Sequence, residues 1–248
     1  MNREVLRALN DARCQNRAIV RALDPVSGEE RLIDPGANSS PLEIAAAKAA
    51  RADHSSSVEI DGRVWFLTVY NPPLDLAVVG AVHIAQPLSA MAQLAGYKVR
   101  IIDPRTAFAT ARRFPNLAIS HDWPDEALAT APLGRRSALV ALTHDPKVDD
   151  PALTVALRSD CYYIGALGSK KTHAARRERL RQHGFSDAEL DRIHGPVGLP
   201  IGARSPAEIA VAILAEMTLR LRTDTNAGLP PAREPEYVDQ VRPLERLA

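Results

Sequence analysis

Cysteine is nearly absent from this chain: Cys14 and Cys161 stand far apart and in no Cys-x-x-Cys spacing. That excludes a disulfide framework and gives no zinc pattern, and reduced thiols fit a cytoplasmic protein. Long apolar runs are missing as well. No stretch approaches the roughly 20 residues that span a bilayer, and Met1-Asn2-Arg3-Glu4 opens a polar helical pattern instead of an apolar core with a cleavage site. A soluble chain without a membrane contact is expected. Charge of one sign is also not in excess, because 31 Lys and Arg against 30 Asp and Glu leave +1. No global field draws nucleic acid, so basic residues matter only where they gather. Internal repeats and low-complexity tracts do not stand out.

What is present is the balance of a folded protein: 248 residues, 46% hydrophobic and 25% charged, enough for one large domain or two modest ones. The pattern predicts a helix over 2–16, strands over 17–24 and 31–33 around a Pro25-Val26-Ser27-Gly28 turn, and a helix over 41–52. A hairpin follows, 58–60 and 63–70, closed by Asp61-Gly62. Asn71-Pro72-Pro73 interrupts the pattern, since proline cannot donate to a strand ladder. The domain boundary is placed there, giving a small α+β unit over 1–73. Beyond it apolar strands at 76–79, 98–102, 117–119, 138–142 and 162–164 alternate with helices at 83–95, 149–158 and 170–183. That rhythm predicts a Rossmann-like parallel sheet over 74–222, helices on both faces, making the chain α/β. An extended tail is expected over 223–248.

Candidate chemistry collects where strands run into helices. The first strand leads into Gly80-Ala81-Val82-His83, a turn of the kind that seats a pyrophosphate at a helix start. Asp103, twenty-three positions after Gly80, ends the second strand where a ribose-binding acid belongs. Val82 takes the place of the second glycine of the dinucleotide fingerprint, which weakens ordinary NAD binding. His83 is read on the first helical turn, where its ring could meet an anion. Thr143-His144-Asp145 follows another strand, so His144 and Asp145 are candidates for polar contacts or proton transfer, with Asp149 and Asp150 capping the next helix. A metal held by Asp145, Asp149 and Asp150 would match no known loop. Gly168-Ser169-Lys170-Lys171-Thr172 joins backbone donors, hydroxyls and two lysines, a phosphate-binding combination without Walker spacing. Residues 194–204 form a long glycine- and proline-rich loop, and Ser205-Pro206-Ala207-Glu208 a capping box that opens the last helix. Neither cysteine is expected to carry sulfur.

Five runs in this order, GAVHIAQP from Gly80, IDPRTAF from Ile102, LTHDPKVDD from Leu142, YIGALGSKKTH from Tyr163 and HGPVGLPIGARSPAEIA from His194, resemble the XdhC/CoxI family of molybdenum-hydroxylase maturation factors. The resemblance covers 75–220 and implies a cofactor chaperone rather than a catalyst. It implies binding of molybdenum cofactor, support of its sulfuration by a cysteine desulfurase and delivery to a xanthine or carbon monoxide dehydrogenase apoenzyme, by a cytoplasmic homodimer. The ligand crevice would be lined by Gly80, His83, Asp103, His144, Asp145, Gly168, Ser169 and Lys170, with no catalytic or metal-ligating residue. Two other classes stay open: an NAD(P)-dependent oxidoreductase with Asp103 on the ribose, and a scaffold that only docks the hydroxylase and the sulfurtransferase.

Overall fold

The structure is a computed structural model and describes residues 3–15, 17–37 and 39–223. The expected tail lies outside them, apart from Thr223. The chain begins with α1 (Arg3–Cys14), β1 (Ile19–Leu23), β2 (Glu30–Ile33), α2 (Pro41–Ala52), β3 (Ser56–Ile60) and β4 (Arg63–Tyr70). Its four strands make an antiparallel sheet in the order β2-β1-β4-β3. Local chemistry sets both turns: the Asp24 carboxylate accepts the Val26 N–H at 2.9 Å and the Ser27 hydroxyl at 2.7 Å, while Asp61 and Gly62 both take positive φ, as the tightest hairpins require. Helix α2 starts at a reciprocal Ser40–Glu43 capping box and packs Leu42, Ala46, Ala49 and Ala50 on Val20, Ala22, Trp65 and Leu67. On the other side of β1, Ile19 meets Leu9 and Ala12 of α1.

The remainder runs β5 (Leu74–Val79), α3 (Ala85–Leu94), β6 (Tyr97–Ile102), β7 (Ala118–Ser120), α4 (Pro124–Thr130), β8 (Ser137–Ala141), α5 (Pro146–Leu157), β9 (Tyr163–Ala166), α6 (Lys170–Gln182), α7 (Asp187–Leu190), β10 (Ile193–His194) and α8 (Pro206–Thr223). The strands pair in parallel in the order β10-β9-β8-β5-β6-β7. Starting from β7, this is the doubly wound dinucleotide order. Apolar runs in these strands are continuous because both faces are covered. Leu76 and Val78 of β5 join a core with α3 and α8, and Ala77 and Val79 join a second core with α4, α5 and α6.

Three elements are not evident from the sequence pattern: α4, α7 and β10. Their signals are present but short, Pro124 with Asp125 and Glu126 in the first turn of α4 and a Ser186–Glu189 capping box on α7. Two helix starts are corrected. Helix α5 begins at Pro146, capped by the Asp145 side chain on the Lys147 N–H at 3.0 Å. Asp149 and Asp150 resemble capping acids and make Asp149 look like the start. Helix α3 begins at Ala85, which leaves His83 in the preceding turn. Among the described residues no helix is long and apolar enough to cross a membrane.

Leu139 lies fully buried in β8 within the second core. Leu139→Ala should lower stability by about 2–5 kcal/mol in urea denaturation; a loss below about 1 kcal/mol would contradict close packing of that layer.

Candidate functional site

Strands β5 and β8 are neighbours from which the chain winds toward opposite edges of the sheet. In such sheets the crevice for a ligand opens beyond the carboxyl ends at that point. Gly80 follows β5 with φ +105°, and a Cβ there would lie 2.6 Å from Thr143 Cγ2 and 3.2 Å from Thr143 N. Only glycine lets the turn after β5 meet the loop after β8. Val82 packs half-buried against the core under α3. His83 is exposed at the lip of the turn.

Asp103 ends β6 and is fully buried. One carboxylate oxygen accepts the Ala81 N–H at 2.7 Å and Arg105 Nη2 at 2.8 Å; the other accepts the Arg105 N–H at 3.0 Å and Nε at 2.9 Å. Burial alone would raise its pKa, but the Arg105 guanidinium and the two backbone donors outweigh it and hold the carboxyl below its ordinary value. About four acceptor positions on a carboxylate are thereby filled from within the chain. Asp103 therefore anchors the Gly80-Ala81 turn and Arg105, and has no acceptor free for ribose. Arg105, half-exposed and felt by Asp145 and Asp149, is a cation of the site that the strand-end pattern does not reveal; only its place in the IDPRTAF run points to it.

Asp149 stands in the first turn of α5, but the cap of that helix is Asp145. It is buried there with 1% exposure, and its carboxylate accepts the Thr143 hydroxyl at 2.6 Å, the Thr143 N–H at 3.3 Å and the His144 N–H at 3.1 Å. These bonds hold the loop after β8, including His144 at a left-handed φ of +62°, which an unsupported non-glycine residue avoids. Behind Asp149 stands Arg176 of α6, 3.7 Å away and 1% exposed, which donates to the Leu167 carbonyl at 2.8 Å. Burial pushes the Asp149 carboxyl up and the Arg176 guanidinium down, each opposed by the other's charge. Asp150 turns away to Arg179, at 2.6 and 3.0 Å, and Asp145 caps α5. The three aspartates do not converge on a common point.

Gly168, at φ +142°, brings the loop after β9 alongside: a Cβ on it would sit 3.0 Å from Thr172 Cγ2 and 3.7 Å from His144 Nδ1. Ser169 caps α6, its hydroxyl accepting the Thr172 N–H at 3.1 Å. Lys170 and Lys171 are exposed in the first turn. The 194–204 loop flanks this helix start, with Gly195 against the His173 ring. Buried Glu216 of α8 tethers it, accepting the Tyr163 hydroxyl at 2.6 Å and the Gly198 N–H at 2.8 Å and meeting His194 Nδ1 at 3.1 Å. Helical spacing places Glu216 on the packing face of α8 and gives no sign of this tether.

The structure therefore brings Gly80, His144, Asp145, Gly168, Ser169 and Lys170 to one edge of the sheet, with His83 at the lip and Asp103 beneath. Helix starts with backbone donors and exposed lysines are an arrangement that favours anions.

Residues 76–217 match the family model described as the XdhC Rossmann domain. The chain is 30% identical over 164 residues to a molybdenum cofactor insertion chaperone, PaoD, of Escherichia coli K12, covering 66% of this chain and 45% of that protein. It is 31% identical over 153 residues to a protein of Bacillus subtilis 168 named as a probable subunit of xanthine dehydrogenase, covering 61% and 44%. This chain thus spans less than half the length of these two relatives. A crystal structure titled as a xanthine dehydrogenase of Bacillus halodurans superposes with a TM-score of 0.66 at 25% identity, covering 94% of this chain and 67% of that one.

Two substitutions test the architecture of this edge. Gly80→Ala should destabilise by about 1–3 kcal/mol through its φ and the Thr143 contact, seen as a lowered urea midpoint; an unchanged midpoint contradicts the close approach. Asp149→Ala should be more severe, about 3–5 kcal/mol, because it strands a buried guanidinium. Adding Arg176→Met should recover part of that loss, and a strictly additive double variant would show the two groups to be uncoupled.

Proposed function

We propose that this chain, which belongs to the XdhC Rossmann-domain family, is a maturation factor for a molybdenum hydroxylase of the xanthine or carbon monoxide dehydrogenase type. In this reading it binds molybdenum cofactor, supports sulfuration of the cofactor by a cysteine desulfurase and delivers it to the apoenzyme, working as a cytoplasmic homodimer. The names of the E. coli and B. subtilis relatives support the maturation role.

The observation that carries the reading is the start of α6 beside the switch point. Lys170 and Lys171 are exposed there and engaged in no ion pair among the described residues, next to the glycine turn at Gly168 and the loop that Asp149 holds. A phosphate ester on a pterin fits this donor set: backbone N–H groups and the positive helix end face the anion, the ammonium groups neutralise it, and Arg105 adds a third cation. His144 and Asp145 offer hydrogen-bonding edges of the kind a pterin ring needs. The filled acceptors of Asp103 weigh against the nicotinamide alternative, in which that acid should face a ribose.

Incubation of the purified chain with molybdenum cofactor, followed by gel filtration and metal analysis, tests the proposal. Wild type should retain the cofactor, Lys170→Ala/Lys171→Ala should weaken retention tenfold or more, about 1.4 kcal/mol, and Lys170→Arg/Lys171→Arg should keep most of it. Tight binding of NAD(H) with no cofactor retained, or retention indifferent to the alanine pair, would overturn the reading.

A further inference from the structure

At the opposite end of the parallel sheet, where the amino ends of β8 and β9 face α2, lies a cleft of about 470 Å³. Its walls come from the loops that flank β1, β2, β4, β8 and β9 and from α2 and α8. Arg17, Arg51, Arg135, Arg136 and Arg220 line it, and Asp34 is the one carboxylate among its lining residues. Between the guanidinium groups the lining is apolar and small, with Ala18, Ala47, Ala50 and the Tyr162 ring. Three of the arginines are partly balanced: Arg17 by Asp34 at 3.6 Å, Arg135 by Asp160 at 3.6 Å in an exposed pair, and Arg136 by Asp53 at 3.3 Å. Arg51 and Arg220 have no ion-pair partner among the described residues.

Part of this charge is ordinary helix-end chemistry. Arg51 and Arg220 sit in the last turns of α2 and α8, where a cation meets the negative helix end, roughly half a unit charge. That accounts for two residues taken singly. Arg17, Arg135 and Arg136 belong to loops and are held by their own partners, Arg136 also by the Pro72 carbonyl at 2.8 Å, yet all three line the same volume in a chain whose net charge is only +1. Every cation lining the cleft is arginine, the side chain whose planar fork matches phosphate in two simultaneous bonds and stacks on rings. We infer that this cleft binds a phosphate ester carried on a flat heterocycle, with the ring against the alanine and Tyr162 walls and the phosphate among the guanidinium groups. It is a separate site from the crevice: the five residues of β8 alone place about 16 Å between them at about 3.3 Å per residue.

Guanosine 5′-monophosphate is a suitable probe, measured by calorimetry on the full chain beside inorganic phosphate. The nucleotide should bind, and more tightly than phosphate alone. Arg51→Ala/Arg220→Ala should weaken it at least tenfold, while Lys170→Ala/Lys171→Ala should leave it unchanged. Both arginines are exposed, so folding should survive, and Arg135→Ala, whose side chain is 86% exposed, gives a second variant expected to weaken binding more modestly. Absence of binding to wild type, indifference to all three arginine substitutions, or loss only in the lysine pair would overturn the inference. The last outcome would place the nucleotide in the crevice, so failure here leaves the cofactor-retention experiment on the crevice standing as a separate test.

Discussion

The carboxyl edge of this sheet depends on one buried ion pair, Asp149 with Arg176. A buried pair is weak evidence for net stability, since desolvating two charges can exceed their attraction. Its value here is positional. Asp149 gathers the Thr143 hydroxyl and two loop N–H groups, and Arg176 reaches on to the Leu167 carbonyl. Two strand-to-helix loops are thereby fixed relative to each other, alongside the Leu167 N–H bond to the Ala141 carbonyl at the end of β8. Gly80 closes the third side by admitting no atom between itself and Thr143. The loops that would meet a ligand are tied by bonds within the chain, which lowers the entropy cost of arranging them on binding.

Much of the fold was legible because its cues are local. Strands β5, β8 and β9 are short apolar runs that lead to a glycine turn or a capping residue, and helices α3, α5 and α6 follow each of them within a few residues. The two hairpins carried Asp-Gly and Pro-Val-Ser-Gly turns. The site was legible only to the extent that strand ends are legible. Gly168, Ser169 and Lys170 could be placed from the glycine turn and the cap. The residues that organise the edge could not, because their partners are distant in sequence: Asp149 with Arg176, and Glu216 with Tyr163, His194 and Gly198. Periodicity assigned Glu216 to a packing face, which is true of its position on α8 and silent about its carboxylate. The start of α5 was read three residues late, because Asp149 and Asp150 resemble capping acids while the true cap is Asp145.

A net charge near zero concealed a second regularity. Arginine alone supplies the cations of the amino-end cleft, whereas exposed lysines stand beside Arg105 and Arg113 at the carboxyl end, so the two ends of one layer differ in the cations they present. The difference matters chemically. Lysine holds a phosphate as a mobile point charge, suited to a ligand that must be taken up and passed on, whereas arginine forks fix orientation.

Asp103 shows how a fold can keep a layout while changing what it recognises. The strand order, the first glycine turn and the acid at the end of the second strand all stand where a dinucleotide-binding protein has them. Recognition in that fold requires the acid to present acceptors to a ribose, and Arg105, two residues on, has filled them together with the Ala81 N–H. The same contact converts a negative surface into a positive one, since the buried carboxylate is covered by a guanidinium that is 38% exposed. An edge that would have accepted hydroxyl donors now presents a cation. A phosphate fits that change of sign, and a free ribose does not.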